Sequence, residues 1–121
     1  MLLDTSAWIE LFQGSEKGKA VREITNGKML YASILTIAEL KLWALRNNLN
    51  IQKHFERISQ ESTIIGLDAE TAILAANIKH ESKIAGIGMV DCLIYATAVR
   101  CRLPLVSSDS HFKTLRNTIM I

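Results

Sequence analysis

Two acidic residues of this sequence stand inside apolar segments, where an isolated carboxylate is energetically costly. Asp91 is the only charged residue in the segment 84–99, and Glu39 lies in the largely apolar run SILTIAELKLWAL at 33–45. Neither has a basic residue three or four positions away, the spacing at which side chains pair on a helix. Each carboxylate must therefore be protonated, paired with a distant group or bound to a metal ion.

Two further acids, Asp4 and Asp109, directly follow short apolar runs that are typical of strands. If the fold gathers all four acids, their mutual repulsion requires a divalent cation that prefers oxygen ligands. Mg²⁺ fits that description, and so does Mn²⁺. The sequence has no cluster of Cys and His residues, which argues against a structural zinc site.

Each of these acids also has a purely structural interpretation as a helix cap. Asp4 and Asp109 both precede predicted helices, and the sequence TIAE that ends at Glu39 matches a capping box. Asp91 caps a helix only if that helix begins one turn later than its apolar pattern predicts. Asp68 also follows a strand, and we interpret it as a cap because it opens a long helix.

Hydroxyl residues flank the two acids that follow strands. Thr5 and Ser6 come directly after the first acid, and Ser107 comes shortly before the second. Hydroxyl donors in such positions orient carboxylates that bind a metal ion. Ser and Thr are also common at strand-to-helix turns, which is our interpretation of Ser108.

Short apolar strands alternate with helices along the whole chain, which predicts one α/β domain with a mostly parallel sheet. There are no repeats, linkers or low-complexity tracts, so we assign residues 1–121 to a single domain. In such sheets, ligands bind beyond the carboxyl ends of the strands. We predict strands at 1–4, 29–33, 62–66, 104–108 and 118–121, and helices at 6–13, 16–26, 36–47, 50–60, 68–83, 89–102 and 110–116.

Composition excludes several classes of protein. With 49% hydrophobic residues, 21% charged residues and a formal net charge of +2, the chain is neither disordered nor a strongly basic DNA-coating protein. Its longest nearly uncharged run, 84–99, is shorter than the roughly 20 residues that span a bilayer, and the start has no signal-peptide pattern. If Cys92 and Cys101 lie on one helix, they are too far apart to form a disulfide. We expect both to be buried as small apolar side chains, which fits a reducing cytoplasm.

The remaining aromatic and histidine residues have no required role in metal chemistry. We expect His54 and His80 to be solvated on polar helix faces, and His111 to lie on the surface of a short helix. Trp8 and Trp43 are expected in the core or at an interface rather than stacked on bases.

Four segments in this order resemble the PIN-domain ribonucleases and, among them, the small VapC-type toxins of prokaryotic toxin–antitoxin pairs. They are LLDTSAWIELF at 2–12, SILTIAEL at 33–40, GIGMVDCLIYATAV at 86–99 and LPLVSSDSHF at 103–112. Two positions depart from the family pattern: Cys92 stands where alanine is frequent, and Ser107 stands where threonine is commoner. Both are small substitutions.

The resemblance implies a PIN-like three-layer sandwich and a Mg²⁺-dependent endoribonuclease, with Mn²⁺ as the alternative ion. It also implies a homodimer and a cognate antitoxin protein that blocks the acidic site. The residues that match the family's site are the catalytic acids Asp4, Glu39, Asp91 and Asp109, of which Asp4, Asp91 and Asp109 are expected to bind the metal, with Thr5, Ser6 and Ser107 as supporting hydroxyls. Glu39 is expected either to bind the metal as well or to orient the attacking water.

Two rival interpretations come from other functional classes. A receiver-like signalling domain would need a pair of acids after the first strand and a lysine after a late strand, whereas this chain has one acid there and the sequence VSSD later. An inactive PIN-like scaffold that only binds a partner or RNA would not need all four acids.

Overall fold

The computed structural model describes residues 1–121. It contains five strands, six α-helices and one 3₁₀ turn. In chain order these are β1 Leu2–Leu3, α1 Thr5–Gln13, α2 Glu16–Thr25, β2 Leu30–Ser33, α3 Ile34–Arg46, α4 Gln52–Glu61, β3 Ser62–Ile65, α5 Ala69–Glu81, α6 Met89–Arg100, β4 Leu105–Ser107, the 3₁₀ turn Ser110–Phe112 and β5 Thr118–Met120.

All five strands form one parallel sheet in the order β3-β2-β1-β4-β5. The predicted α/β fold with a largely parallel sheet is therefore confirmed. The chain starts at the centre, builds outwards to β3, then crosses back to add β4 and β5 on the other side of β1. This order differs from the 2-1-3-4-5 order of receiver-like sheets, which argues against that rival.

The sheet is the middle of three layers because its side chains alternate between two apolar faces. Leu3 points into the larger core with Trp8 of α1 and Leu40 of α3. Its neighbour Leu2 points to the opposite face and packs against Ile94 of α6. A third small cluster lies between α5 and α6. Helices α1–α4 thus cover one face of the sheet, and α6, backed by α5, covers the other.

Most predicted element boundaries agree with the structure to within about two residues, but the predicted helix at 110–116 is only a short 3₁₀ turn. Helix α1 ends at Gly14, which adopts a left-handed conformation with φ of 63° that favours glycine. Asp68 caps α5 by accepting the backbone N–H of Thr71 at 2.8 Å, so its interpretation as a cap is confirmed.

Several side chains have different environments from those expected. His54 is not simply solvated, because its ring stacks on Phe12 with 4.3 Å between ring centroids. Cys101 is exposed rather than buried, whereas Cys92 and Trp8 are buried as expected. None of the helices combines the length and apolar character needed to cross a bilayer.

Candidate active site

Parallel pairing of β1 with β4 brings the first and the last predicted acids to the same edge of the sheet. Leu3 pairs with Val106, so Asp4 and Asp109 follow neighbouring strands at their carboxyl ends. The chain leaves β1 towards β2 on one side, while β4 lies on the other side. Crevices at such a topological switch point are where open α/β sheets bind ligands.

Asp4 is both a helix cap and a buried carboxylate at this edge. It is only 3% exposed, and its Oδ1 accepts the Ala7 backbone N–H at 2.8 Å, which caps α1. Ser6 donates to Oδ1 at 2.7 Å, and Ser107 donates to Oδ2 at 2.6 Å. Burial nevertheless raises the pKa of Asp4 to about 6, and the negative charge of Asp109 acts in the same direction.

The two serine hydroxyls that hold this carboxylate also join the ends of β1 and β4. Ser6 Oγ accepts the backbone N–H of Ser108 at 2.9 Å, and Ser107 Oγ accepts the backbone N–H of Asp109 at 2.9 Å. Each hydroxyl thus accepts from one strand-end backbone and donates to Asp4. Ser108 takes part through its backbone, in agreement with its interpretation as a turn residue.

Glu39 reaches the same region from α3, but not as part of a capping box. That interpretation is wrong because Ser33 caps a helix that begins at Ile34, which places Glu39 well inside the helix. The Glu39 carboxylate instead accepts the hydroxyl of Thr5 at 2.5 Å. Burial raises the pKa of Glu39, and the charges of Asp91 and Asp109 raise it further.

Asp91 is the third residue of α6, which begins at Met89, so the alternative of a later helix start is wrong. Its Oδ2 accepts the Gly88 backbone N–H at 3.3 Å. Burial raises the pKa of Asp91, and the charge of Asp109 adds to this, while the hydrogen bond from Gly88 and the nearby basic side chains of Lys79 and His111 act against it.

His111 is 35% exposed on a short 3₁₀ turn, close to its expected surface position, but its ring also lies beside two of the acids. Its Nδ1 is 3.1 Å from Asp109 Oδ1 and 3.6 Å from Asp91 Oδ2. Asp109 Oδ1 also accepts the backbone N–H of His111 at 2.9 Å, which fixes the 3₁₀ turn after β4. The sequence gives one signal for this position: His111 comes two residues after Asp109, an acid at the end of a strand.

The chemistry of this donor set fits a hard divalent cation. Asp4, Glu39, Asp91 and Asp109 come from four separate elements, and the negative charge of Asp109 raises the pKa of each of the other three. The carboxylate-bearing side chains of Asp91 and Asp109 are 22% and 34% exposed, so solutes reach them. Three atoms lie within 4.8 Å of one another: one carboxylate oxygen of Asp91, one carboxylate oxygen of Asp109 and Nδ1 of His111. Mg²⁺ or Mn²⁺ binds carboxylate oxygens directly and neutralises their negative charge.

Comparisons with known proteins give one family. The PIN domain family model matches residues 1–117. A comparison with curated proteins finds no significant match.

Several solved structures share the fold. A toxin–antitoxin complex from Klebsiella pneumoniae aligns with a TM-score of 0.77 at 22% identity, covering 98% of this chain and 95% of that chain. VapC20 of Mycobacterium tuberculosis, described as a toxin that cleaves the sarcin–ricin loop, aligns with a TM-score of 0.75 at 15% identity over 95% and 94%. FitAcB from Neisseria gonorrhoeae aligns with a TM-score of 0.66 at 27% identity over 91% and 88%.

Proposed function

The chain belongs to the PIN-domain family, and from this premise we propose that it is a metal-dependent endoribonuclease and the toxin of a toxin–antitoxin pair. One observation carries the proposal: Asp4 and Asp109 follow neighbouring parallel strands at the same edge of the sheet, and carboxylate oxygens of Asp91 and Asp109 lie within 4.8 Å of each other there. Repulsion within such a group opposes folding, so an acidic cluster of this kind favours a role in binding a cation.

In this proposal, Asp4, Asp91 and Asp109 hold Mg²⁺ or Mn²⁺. An ion bound there would supply Lewis-acid chemistry for the hydrolysis of the phosphodiester, by lowering the pKa of water and neutralising negative charge. Asp4 contributes a rigid anchor, because Ser6 and Ser107 both donate to it and prevent its carboxylate from rotating. Asp91 and Asp109 are more exposed and face incoming solute.

We assign Glu39 to the attacking water. Thr5 holds one oxygen of Glu39 at 2.5 Å, which leaves the other oxygen to accept a hydrogen bond from water. Burial raises the pKa of Glu39, so its carboxylate accepts a proton more readily than an exposed glutamate does. The proton that water loses on attacking phosphorus passes to Glu39, and the departing ribose oxygen takes a proton from solvent.

One basic side chain near the acidic site supports RNA as the substrate. Lys41 is exposed on α3 two positions after Glu39, and Lys113 is exposed directly after the 3₁₀ turn. On a helix, Lys41 points about 200° away from Glu39, so we propose only Lys113, which follows the turn that carries Asp109 and His111, as a contact for a backbone phosphate. Arg100 is instead paired with Glu70 at 2.5 Å and with Asp68 at 3.5 Å.

The surface of α3 supports an antitoxin partner. Ile34, Ala38, Leu42 and Leu45 are exposed and lie within an arc of about 80° on this helix, given 100° per residue. An apolar stripe of this kind accepts an amphipathic helix, and a basic side chain from the same partner would neutralise the neighbouring acids.

We also propose that the toxin is a homodimer, which size-exclusion chromatography with light scattering tests directly.

The deciding experiment is cleavage of mixed cellular RNA in Mg²⁺, with and without EDTA. We expect EDTA to abolish cleavage, and Asp91→Asn to reduce it at least about a hundredfold, because a neutral amide is a poor ligand for a hard cation. Asp68→Asn is the matched control: Asn also caps helices well, and Asp68 lies at the start of α5, so cleavage is retained.

Two results would contradict the proposal. Cleavage that survives both EDTA and Asp91→Asn would remove the metal mechanism. Binding of RNA without cleavage in either Mg²⁺ or Mn²⁺ would favour the inactive scaffold.

A further inference from the structure

The imidazole of His111 occupies the acidic cluster without a hydrogen bond to account for its position. Its Nδ1 is sealed from solvent and has no hydrogen-bond partner, although Asp109 Oδ1 is only 3.1 Å away. That oxygen already accepts the backbone N–H of His111, and the ring nitrogen is not aligned with it. A buried polar atom without a partner is costly unless a ligand completes its surroundings.

Local packing holds the ring in this orientation. Gly86, in the segment between α5 and α6, faces the other ring nitrogen: a Cβ at this position would lie 3.2 Å from His111 Nε2. The φ of Gly86 is +78°, a conformation that side chains other than glycine rarely adopt. The glycine therefore leaves room for the ring, and Nδ1 is directed at Asp91 and Asp109 rather than at solvent.

The distances between these atoms match those between neighbouring ligands of one ion. Two ligands at right angles around an ion, each about 2.1 Å away, are about 3.0 Å apart. The separation of 3.1 Å from Nδ1 to Asp109 Oδ1 is close to that value, and the 3.6 Å to Asp91 Oδ2 is about half an ångström longer. Coordination through Nδ1 requires the neutral imidazole with its proton on Nε2, which leaves the Nδ1 lone pair free for an ion.

We propose that His111 is a further ligand of the catalytic cation, and that its nitrogen biases the site towards Mn²⁺ over Mg²⁺. The inference rests on the proposed metal-dependent activity. Mg²⁺ takes oxygen ligands almost exclusively. Mn²⁺ also prefers oxygen, but as a first-row transition metal it accepts one imidazole nitrogen more readily than Mg²⁺ does. A site with three carboxylates and one imidazole keeps its affinity for hard ions while gaining more for Mn²⁺.

The direct test is pulsed electron paramagnetic resonance of the Mn²⁺-loaded wild-type protein. We expect modulation from a coordinated ¹⁴N nucleus, which changes when the protein is grown with ¹⁵N-labelled histidine. This comparison needs no mutation, so it is independent of any effect on folding. Absence of the nitrogen signal in the Mn²⁺-loaded protein would overturn the proposal.

Calorimetric titration with each ion gives the second measurement. We expect His111→Ala to weaken Mn²⁺ binding at least about tenfold and Mg²⁺ binding less than about threefold. His80→Ala, on the exposed face of α5, is the matched control and leaves both affinities unchanged. An equal loss for the two ions would assign His111 to packing rather than to ligation.

Because neither measurement reads RNA cleavage, the two proposals fail separately. A protein that shows the histidine signal but cuts no RNA would refute the proposed ribonuclease and retain this ligand. A protein that cuts RNA with Mg²⁺ but shows no histidine signal would retain the proposed ribonuclease and refute His111 as a ligand.

Discussion

Replacing Asp4 by asparagine should stabilise the metal-free protein at neutral and alkaline pH, although Asp4 is one of its best-connected side chains. Burial raises the pKa of Asp4 from 3.8 to about 6. A shift of about two units, at 1.36 kcal/mol each, corresponds to about 3 kcal/mol of unfavourable free energy when the carboxylate is charged. Asparagine removes the charge and keeps an oxygen that accepts the Ala7 backbone N–H.

The gain is reduced by a hydrogen bond that asparagine does not reproduce. Ser107 donates to Asp4 Oδ2, and an amide nitrogen at that position is not an acceptor, which costs about 1 kcal/mol at any pH. We therefore expect Asp4→Asn to raise the free energy of unfolding by about 1–2 kcal/mol at pH 8.

The change with pH in the stability difference between Asp4→Asn and wild type is a more specific test. The lost hydrogen bond lowers the stability of the variant equally at each pH, so it does not contribute to that change. The folded state of the wild-type protein binds the Asp4 proton more tightly than the unfolded state does. The contribution of Asp4 to the free energy of unfolding is therefore most favourable below about pH 4. It declines as the pH rises to about 6. The advantage of Asp4→Asn over wild type should grow by about 2–3 kcal/mol between pH 4 and pH 8.

Urea unfolding in EDTA at the two pH values measures this difference. Asp68→Asn is the matched control, since hydrogen bonding to Thr71 lowers the pKa of Asp68, which gives a pH trend of the opposite sign. A difference between Asp4→Asn and wild type that is the same at both pH values would refute the reasoning. Addition of Mg²⁺ at a hundred times its dissociation constant should stabilise wild type by about 2.7 kcal/mol and the variant far less.

Two other substitutions test the supporting contacts. Thr5→Val removes the hydroxyl that lowers the pKa of Glu39. The acidic limb of the pH profile of kcat/KM should therefore move to higher pH. An unchanged acidic limb would show that Thr5 does not hold the reacting carboxylate. Gly18→Ala places a methyl group against the backbone carbonyl of Glu10, where α1 and α2 touch, and should lower the free energy of unfolding by about 1–3 kcal/mol, as measured by urea unfolding; wild-type stability would contradict this close approach.

Local sequence signals account for much of the fold and for most of the candidate site. Short apolar runs predicted the strands, and apolar periodicity with polar starts predicted the helices, at about the right positions, because these patterns depend on neighbours within a few residues. Asp91 and Glu39 were identifiable because a charge in an apolar run has few purely structural explanations. Asp68, by contrast, was correctly separated from the site by its ordinary place at the start of a long helix.

Errors arose where a short-range pattern had two possible uses. The sequence TIAE matches a capping box, but Ser33 starts the helix earlier, so Glu39 is free to face Thr5. His54 has a polar sequence environment along its own helix, yet Phe12 of α1 covers its ring. In both cases the deciding neighbour lies in another segment, which spacing along one helix does not reveal.

The sequence by itself determined the alternation of strands and helices, the helix starts that Asp4 and Asp68 cap, and the identity of the unusual acids. Tertiary structure alone decided that β1 pairs with β4, which places Asp4 beside Ser107 and within the electric field of Asp109. Capping and periodicity are set by contacts a few residues apart, whereas the acidic site depends on pairing between segments about a hundred residues apart.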